Sequence, residues 1–536
     1  MPSRTPADET RISDRIEELH PAKLLSPRRI DLVCKYLYFR ELASAHRAPA
    51  NSASMATRMY EKHIDRRTGG VEPPDPYQPS GNSSVKVSLA DYTSQARTLL
   101  ASLQSRGFDR SAAITYFTDG TLGNGAHRLS AALALNRPVF AKVGQGEGTA
   151  WPFRWFLENG FTVEELQRLL YTYTQLKAED VAVFVLYSPS QEYWDRFGQV
   201  IAQRFYSVGH LDVRVESSLA MYELIHDLYG TADPVSAPSV INRKALLLAM
   251  APPIVRIIVA ERHGNDDIYA VADATKAECR QIARDSVAPD AYLSAHASSS
   301  KEETLNLAGV LLSANNLHQL RRRTSAGVRA EFGKWLGECR RSCAREGIAI
   351  DDICVVGSSP LEVIGIRAST DVDFTLKSDY RRTKYGGGVT HLGPAVDIVT
   401  AGYHRARNGS AIDDDELIEN PDWHFRYRGV KFANPEVVLD QKDFYRREKD
   451  VRDLEEAGRK LAALQPTTFN PVFHLAACTE ALLRRSGVAD ASPPASRVPD
   501  RWPAVPAAPW LRQPLATVKS ILRRVRRRLA PAAHRD

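Results

Sequence analysis

A chain of 536 residues with 43% hydrophobic and 25% charged residues is too long for one core and has the ordinary balance of a soluble globular protein. Its formal net charge of +7 lies in the tail: residues 511–536 carry eight Lys or Arg and one acid, so the body is formally neutral. That distribution weakens nucleic acid as a partner of the body. No run approaches the ~18 consecutive apolar residues of a membrane span.

In chain order, residues 1–84 read as a helical segment and linker, with helix expected over roughly 21–65 and a Pro/Gly/Ser-rich loop near 66–84. The polar start lacks an apolar signal core, so the expected location is the cytoplasm. The six cysteines (34, 279, 339, 343, 354, 478) are scattered. Cys339 and Cys343 are one helical turn apart without a second pair to complete a zinc site, which predicts reduced thiols.

Residues 85–147 read as a small α/β block. A helix from Thr98 stops at Gly107, a strand covers Ala113–Phe117, Asp119-Gly120 makes a turn, a helix covers His127–Leu135, and a strand covers Pro138–Val143. Gly125-Ala126-His127-Arg128 stands where a turn enters that helix, and a helix start beside His and Arg favours anions. This block resembles the fold shared by ParB, sulfiredoxin and the free-serine kinases. The resemblance implies that Gly125, His127 and Arg128 bind nucleotide phosphates, with Asp119 a weaker polar partner. Structural capping of a packed turn is the alternative.

Residues 150–325 alternate helix-like and strand-like runs, with VAVFVLYSP and PIVRIIVAE as buried strands, and their role is unassigned. His296, before three serines and Glu302-Glu303, reads as part of a helix cap, or else of an anion loop.

Residues 326–487 hold the most informative pattern. A charged helix leads to a buried strand, Ile353–Val356, and then Gly357-Ser358. Next comes Asp371-Val372-Asp373-Phe374, whose alternation puts two carboxylates on one strand face and apolar residues on the other. Two such carboxylates repel unless a cation joins them, and hard divalent ions take oxygen ligands of this kind. Asp397, between apolar neighbours in PAVDIV, is a third acid on a later strand.

This run resembles the nucleotidyltransferase superfamily with its polymerase-beta-like fold. The resemblance implies that Gly357 and Ser358 hold nucleotide phosphates. It makes Asp371 and Asp373 ligands of Mg²⁺ (or Mn²⁺), and Asp397 the third ligand or the base that activates the acceptor. The substrate is then an NTP, and the acceptor a small-molecule or sugar hydroxyl of the kind found in surface-polysaccharide metabolism. Lys442, Arg446, Arg447, Lys449, Asp450 and Asp453 resemble the helix that braces such a site, with a solvated ion-paired face as the alternative. Trp423 and His424 read as core residues, and Lys431-Phe432 as part of a nearby strand.

Residues 488–510 are a Pro/Ala-rich linker. In residues 511–536, Leu511, Leu515, Val518, Leu522, Val525 and Leu529 recur at three- and four-residue steps against a basic face. An anionic membrane surface at residues 511–529, met at the inner membrane face, is the leading partner. An acidic protein and a nucleic acid are the others. The expected whole is a multidomain α/β and α+β protein: ParB/sulfiredoxin-like domain, middle α/β domain, nucleotidyltransferase-fold mixed-sheet domain and basic amphipathic tail. Two other functions fit the residues: a small-molecule kinase carried by the ParB-like block, and a non-enzymatic nucleotide-sensing scaffold.

Overall fold

The computed structural model describes residues 16–44, 54–71, 86–230, 238–264, 266–286, 291–323, 328–385, 388–400, 403–405 and 411–463. The described residues all belong to one compact unit, residues 1–469. Cys478, the 488–510 linker and the 511–536 tail lie outside them. The protein is a multidomain mixed α/β chain with three separate sheets and a small two-stranded ribbon.

The first sheet has the order β1-β3-β2, from β1 (Glu17–Leu19), β2 (Ile114–Tyr116) and β3 (Val139–Val143). Around it lie the helices Asp31–Ala43, Met55–Thr68, Leu89–Arg106 and Ala126–Ala134. The helical stretch expected over 21–65 is thus two helices. The second is capped by Ser54, which accepts from the Thr57 amide at 3.1 Å. The helix expected from Thr98 begins nine residues earlier, because Ser88 caps it by accepting from the Asp91 amide. Asp31 and Lys35, both fully buried one turn apart, pair at 2.5 Å.

The second sheet is antiparallel, in the order β5-β6-β4-β7: β4 (Val181–Tyr187), β5 (Phe205–Arg214), β6 (Ile254–Arg262) and β7 (Ala295–Ala297). Every residue of β4 is buried, because helices cover both faces of this central strand. Its continuous apolar run follows from that. Strand β5 escapes a period-two reading because its register shifts between Ser207 and Gly209, which changes the phase of its alternation. His296 sits on β7 and bonds Glu303 at 2.9 Å, while Ser300 caps the following helix through the Glu303 amide. This is the helix-cap arrangement.

The third sheet runs β10-β11-β9-β8-β15-β14: β8 (Ile353–Val355), β9 (Val372–Leu376), β10 (Gly388–Gly393), β11 (Val396–Thr400), β14 (His424–Tyr427) and β15 (Val430–Ala433). The ribbon strands are β12 (Tyr403–Arg405) and β13 (Ala411–Asp413). Strands β9 and β11 are parallel, as are β8 and β15. Helix Ala330–Glu346 covers one face through Phe332, Leu336, Cys339 and Cys343, against Phe374, Ile398 and Phe432. The opposite face carries Cys354 against Leu361, Leu417, Val437 and Val438 from three helices. His424 is buried, and Lys431 donates to the Asp351 carbonyl at 2.5 Å.

Ion pairs join the second and third modules. Arg428 meets Glu223 at 2.7 Å, and Arg168 meets Asp422. The first module reaches the third through Arg40–Glu416 at 3.0 Å. Among the described residues no helix is long and apolar enough to cross a membrane, and the described cysteines are buried free thiols.

Candidate active site

Alternation decides which way β9 and β11 present their side chains. Val372, Phe374, Val396 and Ile398 are buried beneath helix Ala330–Glu346. Asp371, Asp373 and Asp397 therefore emerge on the other face. Asp373 and Asp397 are register partners across the parallel pair, so their side chains leave the sheet side by side.

Beyond β8 the chain turns at Gly357, whose φ of +67° favours glycine. A β-carbon there would stand 2.7 Å from Asp373 Oδ2 and would displace that carboxylate. The next segment is pinned by hydroxyls. Ser358 Oγ bonds Ser369 Oγ at 2.9 Å, and Ser359 and Ser369 both donate to the Asp371 carbonyl at 2.7 Å. Glu362 accepts from the Ser369 amide at 2.6 Å and pairs with Arg329 at 2.8 Å. These bonds fix the loop that delivers Asp371 to the start of β9.

The electrostatics are those of crowded like charges. Burial, then Asp371 and Asp397, push the Asp373 carboxyl up to about 6, with Lys449 opposing. Asp397 accepts from His391 Nδ1 at 2.7 Å across the β10–β11 pair. Among the described residues no three acidic, histidine or cysteine side chains stand close enough together to hold a metal ion as they lie. The donor chemistry nevertheless fits a hard divalent cation: crowded carboxylates, one of them pushed toward protonation, face an open cleft. Asp371 and Asp373 line that cleft directly, whereas Asp397, beside Asp373 in the register, is not among its lining residues and has its carboxylate held by His391.

The cleft is about 320 Å³ in volume. Gly357 and Ser358 line it with the acids, and Arg367, Lys442, Arg447 and Lys449 give it a cationic wall. The cationic wall is braced from behind. Lys442 meets Asp450 at 3.2 Å and Asp453 at 2.8 Å, Arg447 meets Asp450 at 2.6 Å, and Arg367 meets Asp453 at 3.1 Å. Asp450 is fully buried and Asp453 nearly so, so helix Glu448–Ala463 carries a buried brace rather than only a solvated face. Arg446 is turned away, paired with Asp443 at 2.9 Å.

The Gly125 turn lies in the first module and does not join this cleft. Gly125 is left-handed, with φ +82°, and a β-carbon there would meet Ile114 Cγ1 at 3.0 Å. The Arg128 guanidinium donates to the Ala112 carbonyl. His127 Nε2 bonds the Tyr60 hydroxyl at 3.0 Å, and its ring sits among Phe39, Tyr60 and Tyr92. Burial, with Lys35 and Arg67 nearby, holds His127 well below the usual imidazole range, so it is neutral at pH 7. Asp119 pairs with Arg28 at 2.6 Å.

Sequence reasoning missed three residues here. Arg367 and Tyr445 line the cleft, and His391 holds Asp397. Only His391 had a local signal, since VTHL alternates opposite DIVT; Arg367 and Tyr445 reach the cleft through tertiary packing. No family model, no curated protein and no solved structure matches the chain.

Proposed function

We propose that the chain is a metal-dependent nucleotidyltransferase that moves a nucleoside monophosphate from an NTP to a small-molecule or sugar hydroxyl, with its site in a polymerase-beta-like third module. The observation that carries this reading is the meeting of Gly357, Asp371 and Asp373 with a braced cationic wall in one cleft. Arg367, Lys442, Arg447 and Lys449 supply charge complementary to a triphosphate. The Gly357–Ser358 turn lets phosphate oxygens approach the backbone. Asp371 and Asp373 would hold the divalent ion, with Asp397 completing the set or acting as base. A bound divalent ion supplies charge neutralisation and alignment of the phosphates.

In the transfer, the acceptor oxygen attacks the α-phosphorus and the bond to the β-phosphate oxygen breaks. Pyrophosphate leaves, and the acceptor proton passes to a carboxylate. Positioning and fixed charge account for most of the rate gain in such chemistry. The N-terminal module, read as ParB/sulfiredoxin-like, supports the site as a scaffold. The His127 and Arg128 side chains already hold partners within the module, which weighs against the kinase reading.

The test is pyrophosphate release from each of the four NTPs in the presence of Mg²⁺ and a panel of sugar and polyol acceptors. Wild-type protein should turn over with at least one pair, and Asp371→Ala with Asp373→Ala should not. Turnover that survives this double substitution, or that disappears with His127→Ala alone, would contradict the assignment.

A further inference from the structure

An aromatic residue, Tyr445, lines the cleft while remaining half-exposed at its lip. Helix Pro435–Tyr445 ends at that lip, and Arg446 then adopts a left-handed φ of +49°, with its amide bonded to the Lys442 carbonyl at 2.8 Å. The sharp turn redirects the chain into helix Glu448–Ala463. It leaves the Tyr445 ring 54% exposed while the residue still lines the cleft. The Arg447 guanidinium lies 5.5 Å from the centre of that ring, so one residue of the cationic wall backs the aromatic surface. Phe444, also half-exposed, sets its ring 5.3 Å away at a steep angle.

Two exposed aromatic side chains at a helix end cost solubility and do nothing for the core, which is formed by Val437 and Val438 on the inner side of the same helix. A flat π-surface beside four cations is, however, the pairing that a nucleotide presents in mirror image: phosphates at one end, an aromatic base at the other.

Resting on the transferase reading above, we infer that Tyr445 is the stacking platform for the nucleobase of the NTP, with Arg447 bridging ring and phosphates. The base rides on the ring face, so contact depends on its π-surface rather than on its hydrogen-bonding edge. The site therefore takes purine and pyrimidine nucleotides with modest discrimination, the larger purine ring having the advantage.

The experiment is calorimetric titration of ATP, GTP, CTP, UTP and inorganic tripolyphosphate into the full chain with Mg²⁺. It compares wild type with Tyr445→Ala and Tyr445→Phe, each checked for an unchanged melting temperature. The NTPs should bind wild type about tenfold more tightly than tripolyphosphate. Tyr445→Ala should bring the NTPs down to the tripolyphosphate level without moving tripolyphosphate itself, and Tyr445→Phe should stay within about twofold of wild type. NTP affinity untouched by Tyr445→Ala, or an equal loss for NTP and tripolyphosphate, overturns the platform and leaves the transferase assignment standing. If wild type binds neither NTP nor tripolyphosphate, that assignment falls and the platform with it.

Discussion

The chain builds two similar turns and treats them differently. At Gly125 and at Gly357 a left-handed glycine leads into a helix, with polar residues within three positions after it. At Gly125 the neighbouring side chains are consumed internally: Arg128 on the Ala112 carbonyl, His127 on Tyr60 and a ring of aromatics. At Gly357 the neighbours are gathered and left in conflict. Three carboxylates emerge from one sheet face, one is pushed up to about 6, and two of them line a cleft with four cationic side chains. A turn that satisfies its own polar groups is architecture. A turn beside crowded carboxylates is a candidate for one that takes a ligand.

The contrast can be broken most sharply by removing charge from each turn. Asp371→Ala with Asp373→Ala should lower pyrophosphate release by about a thousandfold or more, while His127→Ala with Arg128→Met should leave the rate per folded molecule within about threefold. Steady-state kinetics on both double variants decides this. Next comes glycine itself. Gly357→Ala should cost activity by about a hundredfold because the β-carbon crowds Asp373, whereas Gly125→Ala should cost about 1 kcal/mol of stability and little turnover. Urea unfolding beside the same assay separates the two.

A smaller effect concerns pH. The folded-state value of Asp373 lies above an ordinary aspartate's, so between 3.8 and about 6 the native state holds the proton more tightly than the unfolded chain. Stability therefore falls as pH rises through that window, and the penalty is full above it. In the absence of divalent ions, Asp373→Asn should stabilise the protein at pH 7 by ~1 kcal/mol after allowance for solvent screening, and the gain should vanish near pH 4. A gain of equal size at both pH values would remove like-charge crowding as its cause. Arg128→Met should likewise cost about 1 kcal/mol, through the lost bond to Ala112.

How much of this was legible in sequence depends on how local the determinant was. The strands β8, β9 and β11 follow from apolar alternation, and the shared face of Asp371 and Asp373 follows from the period of a strand. The pairing of Asp373 with Asp397 needed the parallel register, which spacing alone does not set. Strand β5 was hidden by its bulge, and the helix at Leu89 by a Ser88 cap in a polar stretch. Arg367 and Tyr445 reach the cleft by packing between segments far apart in sequence, so no window of the chain contains both. The fate of Gly125 was likewise invisible, because its outcome rests on Tyr60 and on a backbone carbonyl at Ala112.

The central claim is that crowded carboxylates and a cationic wall form one cation-and-triphosphate site. Titration of Mn²⁺ followed by its paramagnetic resonance signal, with and without a non-hydrolysable NTP analogue, tests it directly. Wild type should take up Mn²⁺ only weakly alone and much more tightly with the analogue, and Asp371→Asn with Asp373→Asn should abolish that gain. Mn²⁺ uptake that is absent in wild type, or unchanged in the double variant, would contradict the account.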